Sequence, residues 1–457
     1  MSRALVWPLA ALVFAGCAHG SAAGDDSAVD SDPLAAAESA KAANKPDEAI
    51  HDLRQALKAD PHRLDAWRLL VQVHTEAGRL GELTSDLKQK AAAQPNDDAL
   101  HYALGLAYFA ESKTAGDAAL TEFQAAEKLK PTEAEYPFRL GVAYFELERW
   151  GDALAPLQRA VQLAPKNAKY HVPLGLALAK LQKKQQALDE FRALLELSPS
   201  GKDVKLAQQA LERLEDPLRD IPQAEADNVR RGIDWLHQAD SPQQAIDLFQ
   251  DVLDRYPDLA PVHVLIGLAY ERLDDAAPAI EHLQRAIELA PDDAQAYLYL
   301  GELYFSKQKP ERAVDYYQKA LARNPLLDRA YGRLGEIAVT RSDSTAAIAN
   351  FKMLVVLSPD DPGAHVAMAQ AYELAGQYDS AEQELRGIVA RDPKNLDAEL
   401  RLGFLCAALA KKAPTSTERD MRQKQAQAAF QKVLDVQPEN VAASRAIQEL
   451  HGSGVPQ

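Results

Sequence analysis

The residues of this chain that could carry out chemistry are four spaced histidines and two pairs of aspartates. Side chains of these types bind metal ions or transfer protons when several of them converge on one point. The histidines are separated by dozens of residues, and each aspartate pair directly follows a proline, where a carboxylate caps a helix start. This spacing predicts packing and capping roles, with neither a metal site nor a catalytic centre. The residues concerned are His101, His171, His263 and His365, with Asp292, Asp293, Asp360 and Asp361.

Cysteine chemistry is limited to two residues, Cys17 and Cys406. This number is too small for a disulfide-stapled scaffold or for a cysteine-based zinc site. The chain also contains no glycine-rich phosphate loop, no His-Glu-x-x-His sequence and no Gly-x-Ser-x-Gly sequence. We therefore expect no enzyme activity, no cofactor, no metal and no small-molecule substrate. Cys406 is interpreted as a small core thiol.

The N-terminus resembles the signal of a bacterial lipoprotein. Arg3 supplies a positive charge, an uncharged apolar run too short to span a bilayer follows, and the sequence Phe-Ala-Gly-Cys ending at Cys17 resembles a lipobox. The resemblance implies a signal peptide over 1–16, a lipidated Cys17 and, because Ala18 follows it, an outer-membrane lipoprotein that faces the periplasm. An ordinary cleaved signal with an incidental cysteine is the alternative. Small acidic residues then predict a flexible tether, so that 17–32 hold the lipidated cysteine and the tether.

Proline recurs at a nearly fixed interval along the rest of the chain. The usual interval is 34 residues, and such a period predicts a stack of small repeated units. Alanine stands twelve residues before nearly every one of these prolines, a large apolar residue stands eight before, and a Gly-x-x-Tyr sequence often comes earlier. The prolines are Pro61, Pro95, Pro131, Pro165, Pro199, Pro257, Pro291, Pro325, Pro359, Pro393 and Pro438.

This pattern predicts a hairpin of two helices in each unit, and hence an all-α fold class. Glycine and alanine let two helices approach closely, the large residues fill the gap to the next hairpin, and proline ends the unit because it cannot continue a helix. One hairpin cannot bury its apolar face alone, so the units must stack. The predicted domains are a block of five repeats, a capping helix with linker, a block of six repeats, and a C-terminal capping helix with tail, over 33–199, 200–223, 224–438 and 439–457.

Two interruptions of the period need separate interpretations. Between Pro199 and Pro257 the interval is longer, and a helix is predicted over 204–214 as a cap on the first block. Its expected apolar face is formed by Leu206, Ala210, Leu211 and Leu214. In the last repeat, an insertion over 411–422 predicts either an exposed loop or a helix extension between the two helices.

The order aromatic, Leu-Gly, Tyr, Ala, Phe, Pro within 34 residues resembles the tetratricopeptide repeat family. The resemblance implies a right-handed solenoid of about eleven repeats that acts as a protein–protein interaction scaffold. It also implies that the first helix of each hairpin lines a concave groove in which partner peptides bind. The four histidines then occupy the aromatic slot of their repeats, the position of Trp67 and Tyr297, and Cys406 occupies the tyrosine slot.

The groove positions lie 27, 23 and 20 residues before the proline of a regular repeat, and their residue types differ between the blocks. In the first block they are apolar or aromatic, which predicts a groove for a hydrophobic or amphipathic peptide; packing between repeats or against the capping helix is the alternative. In the second block, carboxylates predict a mixed acidic groove for a basic or polar segment, with a solvated face as the alternative. The first groove comprises Tyr102, Leu106, Phe109, Phe138, Val142, Phe145, Val172 and Leu176, and the second comprises Glu271, Glu302, Phe305, Glu336 and Glu373.

The charge of the chain narrows the class of partner. A formal net charge of −16 repels nucleic acid, because phosphate binding needs a positive field. Together with the lipoprotein-like signal, the repeats suggest a non-catalytic scaffold anchored by its lipid in the bacterial envelope, where it holds protein partners of a larger machine. At the level of architecture the chain is similar to lipoproteins of gliding-motility and type IV pilus secretin systems. A periplasmic accessory factor in polysaccharide synthesis or export is the alternative.

Overall fold

The structure, a computed structural model, describes residues 32–197, 199–214, 221–237 and 241–452. The predicted signal segment, Cys17 and all of the predicted tether except Asp32 lie outside the described residues. Asp32 caps the first helix, because its carboxylate accepts a hydrogen bond from the Leu34 amide and lies 2.8 Å from the Arg63 guanidinium. Every regular element in the described ranges is helical, which confirms the all-α fold class.

The described part of the chain contains twenty-four α-helices and one short 3-10 turn, Lys113–Ala115. The helices are α1 Pro33–Ala42, α2 Pro46–Ala59, α3 Leu64–Glu76, α4 Leu80–Ala93, α5 Asp98–Glu111, α6 Gly116–Leu129, α7 Glu135–Glu146, α8 Trp150–Leu163, α9 Ala168–Lys180, α10 Lys184–Glu196, α11 Gly201–Leu214, α12 Gln223–His237, α13 Pro242–Leu253, α14 Ala260–Arg272, α15 Ala276–Leu289, α16 Ala294–Ser306, α17 Pro310–Arg323, α18 Asp328–Thr340, α19 Ser344–Leu357, α20 Pro362–Leu374, α21 Tyr378–Arg391, α22 Leu396–Lys412, α23 Ser416–Val436 and α24 Val441–Gly452.

Consecutive helices pair as eleven hairpins, with α11 between the fifth and the sixth and α24 after the last. Inside most hairpins the turn contains one residue with a positive φ, always seventeen residues before the repeat proline. This left-handed residue ends the first helix and lets the next amide reach back, as from Arg149 to the Tyr144 carbonyl at 2.9 Å. The residues in this conformation are Asn44, Gly78, Glu148, Gln182, Asp274, Gln308, Ser342 and Gly376.

The two helices of a hairpin touch where a glycine faces a large side chain. A Cβ atom on Gly175 would lie 2.3 Å from a ring carbon of Phe191, so only glycine lets the helices approach this closely. The alanines twelve residues before the proline, such as Ala153 and Ala313, are completely buried at the same crossing. The glycine contact recurs in Gly105–Phe123, Gly141–Leu157, Gly232–Phe249, Gly267–Leu283, Gly301–Tyr317, Gly335–Phe351 and Gly403–Phe430. The prediction that glycine and alanine let the two helices of a hairpin approach closely is thereby confirmed.

The first compact unit comprises the five hairpins up to Pro199 together with 209–214. Its core is aromatic, because Tyr102, Phe123, Tyr136 and Phe138 are almost completely buried. Such rings are large enough to fill the space between neighbouring hairpins, which burial of small residues alone would leave open.

Helix α11 differs from its predicted form in two respects. It begins at Gly201, where Ser200 caps it by accepting a hydrogen bond from the Asp203 amide at 3.3 Å, and its buried face is formed by Val204, Ala207 and Leu211. Of the predicted face only Leu211 is fully buried, because the packed side follows a different stripe of residues at spacings of three and four. The helix also contributes to both units, 200–208 to the second and 209–214 to the first.

The second compact unit comprises 200–208 and the chain from 215 onward, which includes six hairpins and α24. The insertion in its last hairpin extends both helices, so α22 and α23 are joined by three residues and no long loop forms. Thr415 caps α23 by accepting a hydrogen bond from the Glu418 amide at 3.2 Å, and a threonine followed three residues later by glutamate is a capping sequence. Helix α24 buries Ala443 and Ala446.

We searched the helices for membrane-spanning segments. Within the described ranges, none of them combines the length and the apolar character that crossing a membrane requires.

Candidate functional site

The histidines of the aromatic slot are structural hydrogen-bonding residues. Trp67 donates its indole N–H to the carbonyl oxygen of the proline six residues earlier, at 2.8 Å, and each of the four histidines places Nε2 against the corresponding oxygen. The histidine distances range from 2.9 to 3.1 Å. A ring nitrogen in this slot therefore ties the first helix of a repeat to the end of the previous one. The packing role predicted for the histidines is confirmed.

The other ring nitrogen distinguishes one histidine from the rest. In three repeats Nδ1 lies 2.6 to 2.8 Å from a glutamate oxygen of the second helix, in the pairs His101–Glu122, His171–Glu190 and His365–Glu384. In the fourth repeat, Nδ1 of His263 lies 3.0 Å from Nδ1 of His282. The hydrogen bond to Glu190 raises the pKa of His171, whereas burial lowers the pKa of both His263 and His282. The neutral imidazole is favoured in the His–His pair.

The side chains predicted to line the first groove are mostly hidden from solvent. The Tyr102 ring lies 5.5 Å from the Tyr136 ring, and the Phe138 ring lies 4.8 Å from the Tyr170 ring. For these two residues the expectation of an open groove is wrong and the alternative is right, because rings of neighbouring repeats cover one another. Contact of the first groove with a partner stays a prediction. Phe145 is half-buried, and the buried residues are Tyr102, Leu106, Phe109, Phe138, Val142, Val172 and Leu176.

A buried charged cluster lies among these rings and holds α7 and α9 together. Glu135 is 8% exposed, lies 2.6 Å from Arg139 and 3.4 Å from Lys169, and accepts hydrogen bonds from the hydroxyls of Tyr102 and Tyr170. Burial alone would raise the pKa of Glu135, but Arg139 and Lys169 outweigh it and lower the pKa to about 2. Burial, followed by the charge of Arg139, lowers the pKa of Lys169 to about 8. These shifts have a structural cause and need no catalytic role.

Three residues of the predicted second groove converge on one arginine. Arg333 places Nη1 2.8 Å from Glu336 and Nε 3.2 Å from Glu302, and its guanidinium carbon lies 4.9 Å from the centre of the Phe305 ring. The Tyr317 hydroxyl donates to Glu302 at 2.8 Å. Glu302 and Glu336 belong to successive repeats, so the alignment expected from their spacing exists. Arg333 lies between the two carboxylates, which makes this part of the surface less acidic than the sequence predicts.

The remaining two carboxylates of the second groove lie outside the Arg333 cluster. Glu271 is half-buried, and burial followed by the nearby charge of Glu302 raises its pKa. Glu373 is exposed, and desolvation by the adjoining protein raises its pKa as well. Both carboxylates are therefore easier to protonate than free glutamate, and a neighbouring cation would stabilise their charged form.

Arg139 and Arg333 are the residues that the groove prediction omitted. Both stand 26 residues before their repeat proline, one position after the first predicted groove position. An arginine at this offset in two repeats is therefore the feature of the sequence that predicts a cation in the groove. The family resemblance implies groove residues at three other offsets, so it does not include these arginines.

The described residues contain one group with the geometry of metal ligands. One ligand atom each from His62, Asp97 and Asp98 lies within 4.8 Å of the others. Each of these side chains also has a protein contact: Asp97 accepts from the Leu100 amide, and Asp98 accepts from the Tyr136 hydroxyl and lies 3.3 Å from His62. These contacts explain the arrangement without an ion. The absence of a metal stays a prediction.

Comparison with known proteins identifies the repeat. Two family models, each described as a tetratricopeptide repeat, match most of the chain, so this protein belongs to the tetratricopeptide repeat family. Family members of this fold are typically non-enzymatic interaction scaffolds, and the chain has the fold of a protein–protein interaction scaffold. No curated protein sequence matches the chain. The matched residues are 34–82, 102–168, 138–202, 236–294, 264–328 and 300–362 for one model and 338–411 for the other.

Solved structures of similar fold include other members of this family. YrrB, described as a TPR protein with an unusual peptide-binding site, is 20% identical over 44% of this chain and 97% of its own, with a TM-score of 0.38. The Cut9–Hcn1 hetero-tetramer of the APC/C is 14% identical over 92% of this chain and 96% of its own, also with a TM-score of 0.38. A thermophilic TPR protein of Thermus thermophilus is 22% identical over 40% of this chain and 98% of its own, with a TM-score of 0.31.

Proposed function

We propose that this protein is a lipid-anchored, non-catalytic scaffold of the bacterial envelope that binds a partner protein on the first helices of its second unit. The repeat architecture supports the scaffold role, and the lipobox-like sequence ending at Cys17 supports the anchor. By analogy of architecture, the assembly it serves is an envelope machine of the gliding-motility or type IV pilus secretin kind.

The row of charged side chains on successive first helices carries this proposal. Half-buried and exposed groups from α14, α16, α18 and α20 stand 26, 23 or 20 residues before their repeat prolines, and they include an aromatic ring. The row itself contains four carboxylates and one arginine, so a partner segment that is basic or polar and carries one apolar side chain suits it. We call this row the charged surface; it comprises Glu271, Glu302, Phe305, Arg333, Glu336 and Glu373.

Crosslinking in cells tests the charged surface. A photo-activated crosslinking residue at position 305 should capture an envelope protein, whereas the same residue at the exposed Lys352, on a second helix, should not. Glu336→Lys should reduce the crosslink, because it reverses a charge on the surface. The control is Glu311→Lys, since Glu311 is also exposed and also pairs with an arginine, at 3.0 Å, but lies on the second helix α17.

Equal capture at the two positions, or an equal effect of the two charge reversals, would contradict a partner site on the charged surface. Competition of the position-305 crosslink by soluble glycan would support the polysaccharide alternative. A partner that is not an envelope protein would contradict the proposed location while leaving the scaffold role in place.

A further inference from the structure

A cavity that the regular repeats do not suggest lies between the last hairpin and the helix before it. Its volume is about 440 Å³, and it lies between α21, α22 and α23 in the second unit. Cavities of about 300–1,000 Å³ hold small ligands in proteins, usually with an apolar wall and a few polar groups. Cys406, Leu402 and Ala429 form part of the wall, and all three are buried.

Departures from the repeat pattern account for this space. Cys406 stands in the slot where earlier repeats have a tyrosine, such as Tyr270 or Tyr304, so a phenol ring is missing. Glu399 stands in the aromatic slot and lies 2.9 Å from Lys432. Because protein interiors are close-packed, the loss of two rings from one hairpin leaves room that the surrounding alanines do not fill.

The wall of the cavity carries more positive than negative charge. Arg386 and Lys432 line it together with a single carboxylate, Glu399, in a chain whose net charge is −16. Arg386 contacts Glu382 through Nε and Nη2, and among the described residues its Nη1 has no hydrogen-bond partner. Nη1 of Arg386 thus remains to receive an anion, next to a Lys432 ammonium group that pairs with Glu399 through one of its three N–H donors.

We propose that this cavity binds a small anionic molecule with an apolar body, a site separate from the charged surface. The anion meets Arg386 and Lys432, and the apolar body lies against Leu402, Ala429 and the Cys406 thiol. This assignment goes beyond the scaffold function, for which we expect no small-molecule substrate.

Anilinonaphthalene sulfonate is a suitable probe, because it joins an aromatic body to one negative charge and fluoresces in apolar surroundings. It is titrated into the full chain carrying Cys17→Ser, which removes the need for detergent. We expect one site per chain, and weaker binding by about tenfold for Arg386→Gln, the size of a lost charge-assisted hydrogen bond. Neutral N-phenylnaphthylamine, which lacks the sulfonate, should bind less tightly.

Two variants locate the site. Cys406→Tyr restores the ring of the regular repeat and should abolish binding. Ala428→Leu narrows the cavity and should weaken binding strongly. Ala428 is an exposed residue of the wall, so we expect the variant to fold. The matched control is Gln427→Leu, at an exposed position outside the wall. In the Cys17→Ser chain Cys406 is the only thiol, and probe at ten times its dissociation constant should slow maleimide labelling by about tenfold, by mass action.

Unchanged probe binding in Ala428→Leu would overturn the proposal, since the probe would then lie elsewhere. Equally tight binding of the neutral analogue would overturn the anionic part of it. Failure of the chain with Cys17→Ser as its only substitution to bind the probe would overturn the proposal outright. None of these outcomes bears on crosslinking at position 305, so the cavity and the charged surface are judged independently.

Discussion

His171 and His263 occupy the same slot of their repeats, yet their pKa values move in opposite directions. A carboxylate partner stabilises the imidazolium of His171, whereas a second, half-buried imidazole faces His263. Arg285 adds to the lowering at His263, and Asp258 opposes it. The hydrogen bond to Glu190 is the largest cause of the raised pKa of His171, whereas burial is the largest cause of the lowered pKa of His263.

This difference predicts an acid sensitivity in the second unit. Unfolded histidine binds a proton near its ordinary pKa of about 6.5, while folded His263 and His282 bind it only at lower pH. Below about pH 6.5 the unfolded state therefore binds more protons than the folded state, so the free energy of unfolding falls as the pH falls. His282→Glu supplies the partner found in the other repeats and should reduce the loss between about pH 7.5 and about pH 5.5 by about 1 kcal/mol. Urea midpoints at the two pH values measure it.

The reciprocal change is the control for this prediction. Glu384→His converts the His365 repeat into a His–His pair and should make that repeat acid-sensitive. If His282→Glu and the wild type lose equal stability on acidification, the His263–His282 pair is not the cause.

At the scale of the helices, each hairpin depends on a contact between a glycine of one helix and a large side chain of the other. Gly175 allows Phe191 to pack against its helix backbone, and the same pairing recurs through both units. Glycine inside a helix lowers stability by about 1 kcal/mol relative to alanine. Its presence at this position is explained by packing, because a Cβ atom would occupy the space of the ring.

Two glycine variants in helices of the same unit test this contact. Gly175→Ala should destabilise the protein by about 1–3 kcal/mol, because the added carbon overlaps Phe191 and the hairpin must shift. Gly151→Ala, where nothing lies within 4 Å of the added carbon, should leave stability unchanged or raise it by about 0.5–1 kcal/mol. Chemical denaturation measures both, and equal effects of the two changes would refute the close-approach explanation.

At the scale of the whole molecule, the proposed attachment to a membrane depends on the segment before residue 32. The proposed attachment rests on the lipobox-like sequence that ends at Cys17. If the proposal is right, this one residue decides the compartment in which partners are to be sought.

Intact mass and membrane fractionation test this attachment. Expressed in a bacterium, the wild type should begin at residue 17, carry a lipid-sized mass addition and fractionate with membranes, while Cys17→Ser should lose both properties. Cys406→Ser is the control and should behave as the wild type, because its thiol is buried in the second unit. A soluble, unmodified wild type would refute the anchor and remove most of the support for an envelope machine.

The sequence by itself determined the repeat, the helical hairpins and the glycine contacts, because each of these arises within about one repeat and recurs with a fixed period. The slot occupied by the histidines followed from the same period. An insertion in the last repeat left two alternatives open, and a local capping threonine, Thr415, is what favours helix there.

Only the tertiary structure decided which groove positions are exposed and how their charges pair. Arg333 and Glu302 are 31 residues apart in sequence and meet because successive hairpins stack, and the buried Glu135 cluster joins residues of neighbouring repeats in the same way. The cavity beside Cys406 likewise is lined by residues of three helices. A period specifies which side chain faces its neighbour, but the distance between neighbours, and hence burial, pairing and free volume, depends on how all the side chains of two repeats pack together.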